Sequence, residues 1–389
     1  MFLIDAASIF QMRLVSKNWY DSIMDHEFVK EHNKESKLRR QRHFLVCKIG
    51  ADFWRSKAFY TMSRSYIAEE ELNLIKPHPI LPHVHRFDLV GTIDGLICMQ
   101  HISQTNVRIF YICNPSTGQN ITVMPQTPLT SKCIIFLHVY ILLFMYLIYL
   151  MAVWNKNFRN LTDLYSAGFA FNSESKDYSI IILWRNNLRI HETWMSKFTT
   201  SSMQWSLPVL TVYDVGLLYT KNVHLDGSIY WLADLSNIDR AFGQNILCFN
   251  SKTNSFHTIR LPEWWFTMQW HISVMDNRLA AASSNIRDSI GGALNIWLKN
   301  GTSNERDGWL HLYSLQPTIM RSKFLGFSGG KCIFFPKDFS LGGGQYKTCP
   351  SFIYEDVSQK HLTKKITSPI HYNYVIVNLV DFYPSLTRF

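Results

Sequence analysis

The feature that most limits how this chain can fold is a repeated pair of short β-hairpins. One hairpin carries an Asp-Gly or Asp-Asn turn between aliphatic strands, as in TIDGLICM (92–99), HLDGSIYWLA (224–233) and VMDNRLAAAS (274–283). Turns of this kind need positive φ at their central residues, which Gly, Asn and Asp supply. The other hairpin carries Asn, Ser and Thr in its turn, as in IFYICNPSTGQNITVMP (109–125) and ILCFNSKTNSFHTIRLP (246–262).

The order of the two hairpins predicts the architecture. The Asp-Gly hairpin precedes the Asn-Ser-Thr hairpin each time, and less regular copies of the second hairpin occur at 169–183, 296–315 and 351–366. Together they form a four-stranded sheet of about 40–55 residues, the size of one propeller blade. We therefore predict a mainly β, propeller-like fold with room for roughly six blades between about residue 90 and the end. A β-sandwich would explain the strands but not the repeat.

The first 36 residues have a different pattern. Apolar residues recur there close to the 3.6-residue period of a helix, at Ile9, Phe10, Leu14, Val15, Trp19 and Ile23. Asp25 lies where a break or a new helix cap is expected, and Phe28 begins a second amphipathic piece. We predict helices over 1–36, a basic linker over 37–43 and the β domain over 44–389.

One apolar run interrupts the β domain. Residues 133–154 read CIIFLHVYILLFMYLIYLMAVW, and no charged residue lies between Lys132 and Lys156. The run reaches the ~20 residues that span a bilayer, although a single span here would divide one propeller between the two sides of a membrane. Three interpretations stay open: an atypical insertion over 130–162 such as translated intron sequence, a membrane-associated helix, or ordinary core.

Net charge and cysteine content indicate which class of partner and which cellular compartment to expect. The net charge is +10, which favours acidic partners, but the basic residues are scattered except in the run from Lys37 to Arg42, so nucleic acid is not expected. The seven cysteines form no Cys-x-x-Cys pair, which indicates a reducing compartment, the nucleus or the cytoplasm. Membrane association is expected only through 133–154.

No pattern of catalytic residues emerges from the sequence. Gly-x-Gly-x-x-Gly, His-Glu-x-x-His and Gly-x-Ser-x-Gly motifs do not occur, and the close pair His83 and His85 has no further ligands in local register. Carboxylates are sparse in the β region, which disfavours a glycosidase. We predict no catalytic, cofactor or metal site, and a protein that is not an enzyme; a propeller-fold enzyme would need carboxylates or histidines that meet only in space.

The motifs resemble a known family. RLVSKNWYDSIMDHEFVKEH (13–32) resembles the second half of an F-box, through Arg13, Val15, Ser16, Lys17, Trp19, Ile23, Asp25, Phe28 and His32. The ordered segments VGTIDGLICM, ICNPSTGQNITVMP, SAGFAFNSESKDYSII, VHLDGSIYWLA and ILCFNSKTNSFHTIRLP look like the F-box-associated domain of plant kelch-like F-box proteins. The resemblance covers most of the chain outside 130–162.

The resemblance implies a substrate-recognition adaptor of an SCF-type (cullin–RING) ubiquitin ligase. Its F-box would dock onto a Skp-type adaptor, and through it onto cullin, while the β domain would bind an unknown protein substrate. The implied adaptor-binding residues are Leu14, Val15, Trp19, Ile23 and Phe28. The F-box motif commonly opens with a Leu-Pro helix start, whereas this sequence opens with MFLIDAASIF, so we expect part of that surface to be absent.

Two other functions stay open beside the ligase adaptor. The first is a propeller interaction protein whose degenerate F-box no longer docks, with the apolar helical residues packed against the β domain instead. The second is a membrane-tethered protein anchored through 133–154. Binding to a Skp-type adaptor separates the first from the ligase role, and partition into a membrane pellet separates the second. Substrate-binding residues are not predicted.

Overall fold

The computed structural model describes residues 6–38, 43–50, 57–63, 87–102, 108–125, 162–186, 193–211, 215–235, 244–262, 268–285, 294–300, 308–315, 322–328, 331–336, 351–356, 361–367 and 374–382. Within these ranges three helices are followed by strands, which confirms the mainly β fold. The helices are α1 (Ala6–Met12), α2 (Lys17–Met24) and α3 (His26–Leu38).

The strands form six antiparallel sheets. The chain first forms β1 (His43–Gly50) and β2 (Lys57–Ser63). Sheet one contains β3 (Phe87–Ile93), β4 (Leu96–Ile102), β5 (Arg108–Cys113) and β6 (Asn120–Val123). Sheet two contains β7 (Thr162–Asn172), β8 (Asp177–Asn186), β9 (Thr193–Thr199) and the two short outer pieces β10 (Gln204–Trp205) and β11 (Val209–Leu210), which both pair with β9.

The remaining sheets follow the same order along the chain. Sheet three contains β12 (Val215–Leu225), β13 (Ser228–Leu235), β14 (Gln244–Asn250) and β15 (Ser255–Arg260). Sheet four contains β16 (Met268–Met275), β17 (Arg278–Asn285), β18 (Leu294–Lys299) and β19 (Trp309–Leu315). Sheet five contains β20 (Ser322–Ser328), β21 (Lys331–Pro336), β22 (Ser351–Asp356) and β23 (His361–Thr367). Sheet six joins the last strand, β24 (Tyr374–Phe382), to β1 and β2 in the order β2-β1-β24.

The six sheets close into a ring. The inner strands contact one another in the cycle β3, β7, β12, β16, β20, β24 and back to β3. This is a six-bladed propeller, and each sheet is one blade. The prediction that all blades lie between about residue 90 and the end is wrong for the sixth blade. Two strands of that blade come from residues 43–63, ahead of the repeat. Pairing of β24 with β1 joins the two ends of the β domain, which closes the ring.

The predicted hairpin turns are present. Positive φ occurs at both central residues of the three turns, at Asp94 (51°) and Gly95 (77°), Asp226 (49°) and Gly227 (77°), and Asp276 (49°) and Asn277 (56°). Each turn joins the first and second strands of its blade. The prediction from the Asp-Gly and Asp-Asn dipeptides is confirmed, since both central residues of such a turn must adopt the left-handed region.

The Asn-containing turns differ from the predicted phase in one blade. Asn114 directly follows the third strand of its blade and Asn250 is the last residue of the third strand of its own, so both begin the turn to the fourth strand. Each side-chain Oδ1 accepts from the backbone N–H two residues on, at 2.9 Å. Asn172 makes the same bond at 2.9 Å, but it ends β7 and begins the turn to β8, which are the first two strands of blade two. The copy at 169–183 is therefore the first hairpin of its blade and not the second, as the sequence predicted. The prediction was wrong because an Asx turn is a local motif that can form in either connection.

The core lies between neighbouring blades. One cluster between blades one and two contains Phe110, Phe169 and Phe198, and the next, between blades two and three, contains Trp231 and Phe249. None of the helices within the described ranges is long and apolar enough to cross a bilayer. Residues 133–154, with the three interpretations of that apolar run, lie outside those ranges.

Candidate docking surface on the N-terminal helices

Two side-chain caps turn the chain between the helices. Ser16 has extended backbone, and its Oγ accepts from the N–H of Trp19 at 3.3 Å, which begins α2. Asp25 Oδ1 accepts from the N–H of Phe28 at 2.9 Å, which begins α3 and confirms the predicted cap. Each cap satisfies a donor that the first turn of a helix leaves unpaired. The three helices can therefore fold back on one another within about 30 residues.

The helices share a small apolar core. Ala6, Ile9, Phe10 and Ile23 are buried in it, and Met12, Phe28 and Val29 pack against it from partly buried positions. Two of the five residues predicted to bind the adaptor, Ile23 and Phe28, thus contribute to the internal packing of the helices. Ile23 is fully buried in this conformation.

The other three predicted residues face solvent. Leu14 and Val15, in the turn between α1 and α2, are 80% and 72% exposed, and Trp19 in the first turn of α2 is 37% exposed. Tyr20 is also exposed and adjoins Trp19. The sequence pattern missed Tyr20, which lies outside the apolar helical period; the aromatic pair Trp19-Tyr20 was the available signal. We refer to Leu14, Val15, Trp19 and Tyr20 as the helical patch.

A cleft separates the helices from the first blade. One wall is formed by Phe10, Gln11, Arg13 and Leu14, and the other by Pro115, Ser116, Thr117 and Gly118 in the turn between β5 and β6. The volume of the cleft is about 320 Å³. The Arg13 guanidinium carbon lies 3.6 Å from the centroid of the Phe10 ring, a cation–π stack. This places the helical patch beside the propeller at blade one.

The position of the cleft distinguishes the two ends of the propeller. In an antiparallel four-stranded blade, the first and third turns lie at the same end, which we call the hairpin end. The turn between β5 and β6 is a third turn, so the helices lie at the hairpin end. The second connection of each blade and the connections between blades leave from the opposite end.

Neighbouring blades are joined by hydrogen bonds near the hairpin end. Tyr178 Oη donates to Asp94 Oδ2 at 3.2 Å, between blades two and one. Asn172 Nδ2 donates to the Ser251 carbonyl at 3.1 Å, and Ser251 Oγ donates to the Phe171 carbonyl at 3.2 Å, between blades two and three. These bonds hold the hairpin-end turns of blades one, two and three in fixed relative positions.

Three buried cysteines, Cys98, Cys113 and Cys248, are not arranged as nucleophiles. Burial raises the pKa of Cys113 and Cys248 to about 12, and it raises the pKa of Cys98 well above its usual value. A thiol that stays protonated is a poor nucleophile and a poor metal ligand. Within the ranges that the structure covers, no group of three or more His, Cys, Asp or Glu side chains is placed to hold a metal ion.

The fold and the surface together define a class of protein: a closed six-bladed β-propeller that carries a small helical module with exposed apolar residues at one end. The F-box associated beta propeller domain matches the chain over residues 53–388. The chain therefore belongs to the F-box-associated family, in agreement with the sequence motifs. The match begins after the helices, and it includes β2 of the closing blade.

Solved structures with similar folds are distant in sequence. TolB from Acinetobacter baumannii is 10% identical, with a TM-score of 0.47 over 86% of this chain and 68% of TolB. The Dos1 propeller is 9% identical, with a TM-score of 0.39 over 87% of this chain and 76% of its own. The periplasmic gluconolactonase of Pseudomonas aeruginosa is 7% identical, with a TM-score of 0.41 over 88% and 99% of the two chains. No curated protein matches the chain.

Proposed function

We propose that this protein is a substrate-recognition subunit of an SCF-type cullin–RING ubiquitin ligase. The helical patch binds a Skp-type adaptor, and the propeller binds the protein to be ubiquitinated. The observation that carries the proposal is the exposure of Leu14, Val15 and Trp19 on helices that adjoin a propeller of the F-box-associated family. The plant F-box resemblance of residues 13–32 supports the same role.

The exposed side chains explain why a partner is expected. The helical module is too small to enclose all of its apolar residues, so Leu14 and Val15 remain in water. Contact with a partner would remove that apolar surface from water at about 25 cal/mol per Å². The exposed Trp19 indole is the kind of side chain that dominates binding energy at interfaces.

The proposed mechanism is proximity rather than chemistry. The subunit holds its substrate near the ubiquitin-loaded partner of the complex, and the gain is in effective concentration. The helices occupy the hairpin end at blade one, so we assign the substrate to the opposite end, where it would point away from the adaptor. The protein itself would be non-catalytic and would act in the nucleus or cytoplasm.

The test is binding of the full chain to a purified plant Skp-type adaptor. The double variant Leu14→Ala/Trp19→Ala should weaken binding at least about tenfold, because both side chains would be buried in the complex. Leu207→Ala is the matched control, since Leu207 on blade two is 83% exposed, close to the value for Leu14, but does not line the cleft between the helices and blade one. Binding that the double variant loses and the control keeps supports the ligase role.

One observation favours a second candidate, a propeller interaction protein that does not dock to the adaptor. Ile23 and Phe28, two residues of the expected docking surface, already pack inside the helical module. If the folded parent chain does not bind the adaptor, the ligase proposal fails and this second function becomes the better account.

A further inference from the structure

We propose that the docking surface continues from the helical patch into the cleft against blade one, and that the cleft receives an acidic segment of the Skp-type adaptor. The proposal rests on the proposed function and deepens it. It assigns part of the adaptor contact to the propeller itself, through the turn between β5 and β6. The orientation of the propeller on the adaptor would then be set by direct contact.

The cleft and the helical patch are one continuous surface. Leu14 belongs to both, because it lines the cleft while most of its side chain is exposed. A partner that covers Leu14 and Val15 therefore also reaches the mouth of the cleft. Residues Pro115 to Gly118 line the opposite wall of the same 320 Å³ cleft.

The positive charge of Arg13 in the cleft favours an acidic segment as its partner. Arg13 is the charged residue in its lining, which contains no acidic side chain. Among the described residues, Arg13 has the Phe10 ring against one face and no carboxylate partner. A stacked guanidinium keeps its N–H donors at the edge, where they can bind a carboxylate. The overall charge of +10 adds to the attraction for an acidic segment.

The blade wall is formed before a partner arrives. Asn114 Oδ1 accepts from the Ser116 N–H at 2.9 Å, and the Asn114 carbonyl accepts from the Gly118 N–H at 2.9 Å. Gly118 has a φ of 75°, a conformation that favours glycine. The turn is thus held by its own bonds, so binding there does not require it to be ordered first.

Charge reversal on each wall tests the proposal. Arg13→Glu changes the helical wall, and Ser116→Glu places a carboxylate on the blade wall without touching the helices. Arg13→Lys and Ser116→Lys are the matched controls, with positive charge at the same positions. The measurement is the association rate constant of the full chain with the purified Skp-type adaptor, at low and at high salt.

We expect each Glu variant to slow association by about five- to tenfold at low salt, while the Lys variants stay within about twofold of the parent. The difference should shrink near 1 M salt, where the screening length is about 3 Å. Equal rates for the Glu and Lys variants of Ser116, in a parent chain that binds and is sensitive to Leu14→Ala/Trp19→Ala, would overturn this inference alone. A parent chain that does not bind would overturn both it and the ligase role.

Discussion

At the scale of single residues, close approach between blades leaves no room for a side chain at Gly168. A Cβ atom there would lie 2.7 Å from Ile229 Cγ2 and 2.7 Å from Trp231 Cζ2. Both neighbours are fully buried, so neither has free space into which it can move. Gly168 in β7 is therefore a contact point between blades two and three rather than a turn residue.

We predict that Gly168→Ala lowers the free energy of unfolding by about 1–3 kcal/mol through overpacking. Urea denaturation of the purified chain measures the change. In the Gly168→Ala background, Trp231→Phe removes the ring atom that clashes, so the double variant should lose less stability than the sum of the two single changes. Strict additivity of the two changes would contradict the steric explanation.

In the candidate docking surface, residues that follow the same apolar period differ in how far they are exposed. Leu14, Val15, Trp19 and Ile23 share one apolar helical pattern, yet Ile23 is buried while Leu14 is largely exposed. The pattern identifies apolar positions but not what covers them. Arg13 and the turn from Pro115 to Gly118 were not predicted as part of a site, because about 100 residues separate them in the sequence.

At the scale of elements, β8 shows how a strand can be apolar on both faces. Its residues Ile180 and Ile182 belong to the cluster between blades one and two, whereas Ile181 and Leu183 belong to the cluster between blades two and three. Successive side chains of a strand point to opposite faces, so a strand between two blades is buried on both. The continuous run Ile180–Leu183 follows directly from that position.

The stability of the short N-terminal helices depends on the side chains that cap them. Since α3 begins at the Asp25 side chain, we predict that Asp25→Ala destabilises α3 by about 1 kcal/mol. Amide hydrogen exchange at Phe28 and Val29 should become about fivefold faster, while exchange in the blades stays unchanged. Asp21→Ala is the control, because it removes an exposed carboxylate from α2 without removing a cap. Equal effects of the two variants would show that Asp25 does not act as a cap.

At the scale of the whole molecule, the ring is closed by pairing between the two ends of the β domain. β1 lies between β2 and β24, and Val46 of β1 faces Tyr60 on one side and Leu379 on the other. The register runs without a gap in pairing from the His43–Phe382 pair to the Gly50–Tyr374 pair, apart from one shift after Cys47. Blade six is thus the blade in which the two ends of the β domain are paired.

We predict that Val46→Pro lowers the free energy of unfolding by about 3 kcal/mol or more, because proline removes a ladder hydrogen bond in a central strand. Tyr60→Pro is the matched control in β2, which pairs with β1 alone among the described strands. The loss should be smaller there, and urea denaturation compares the two. A larger loss of unfolding free energy for Tyr60→Pro than for Val46→Pro would contradict the role of β1 as the strand that closes the ring.

The sequence by itself determined the local structure of this protein. The Asp-Gly and Asp-Asn turns and the cap at Asp25 were predicted, because each depends on backbone dihedral angles and hydrogen bonds within a few residues. The succession of hairpins was predicted except in blade two, where the copy at 169–183 is the first hairpin, and in the closing blade. The blade size followed from the repeat. These features carry their signal in the residues that form them.

Only the tertiary structure decided how the ends meet and which apolar residues stay exposed. Residues 43–63 complete the last blade, a pairing across more than 300 residues that no local pattern encodes. Ile23 in α2 is buried among residues of the other two helices, whereas Leu14 in the turn between α1 and α2 stays largely exposed at the edge of the cleft. The physical reason is the same in both cases, since burial depends on which elements come together in space and not on the residue alone.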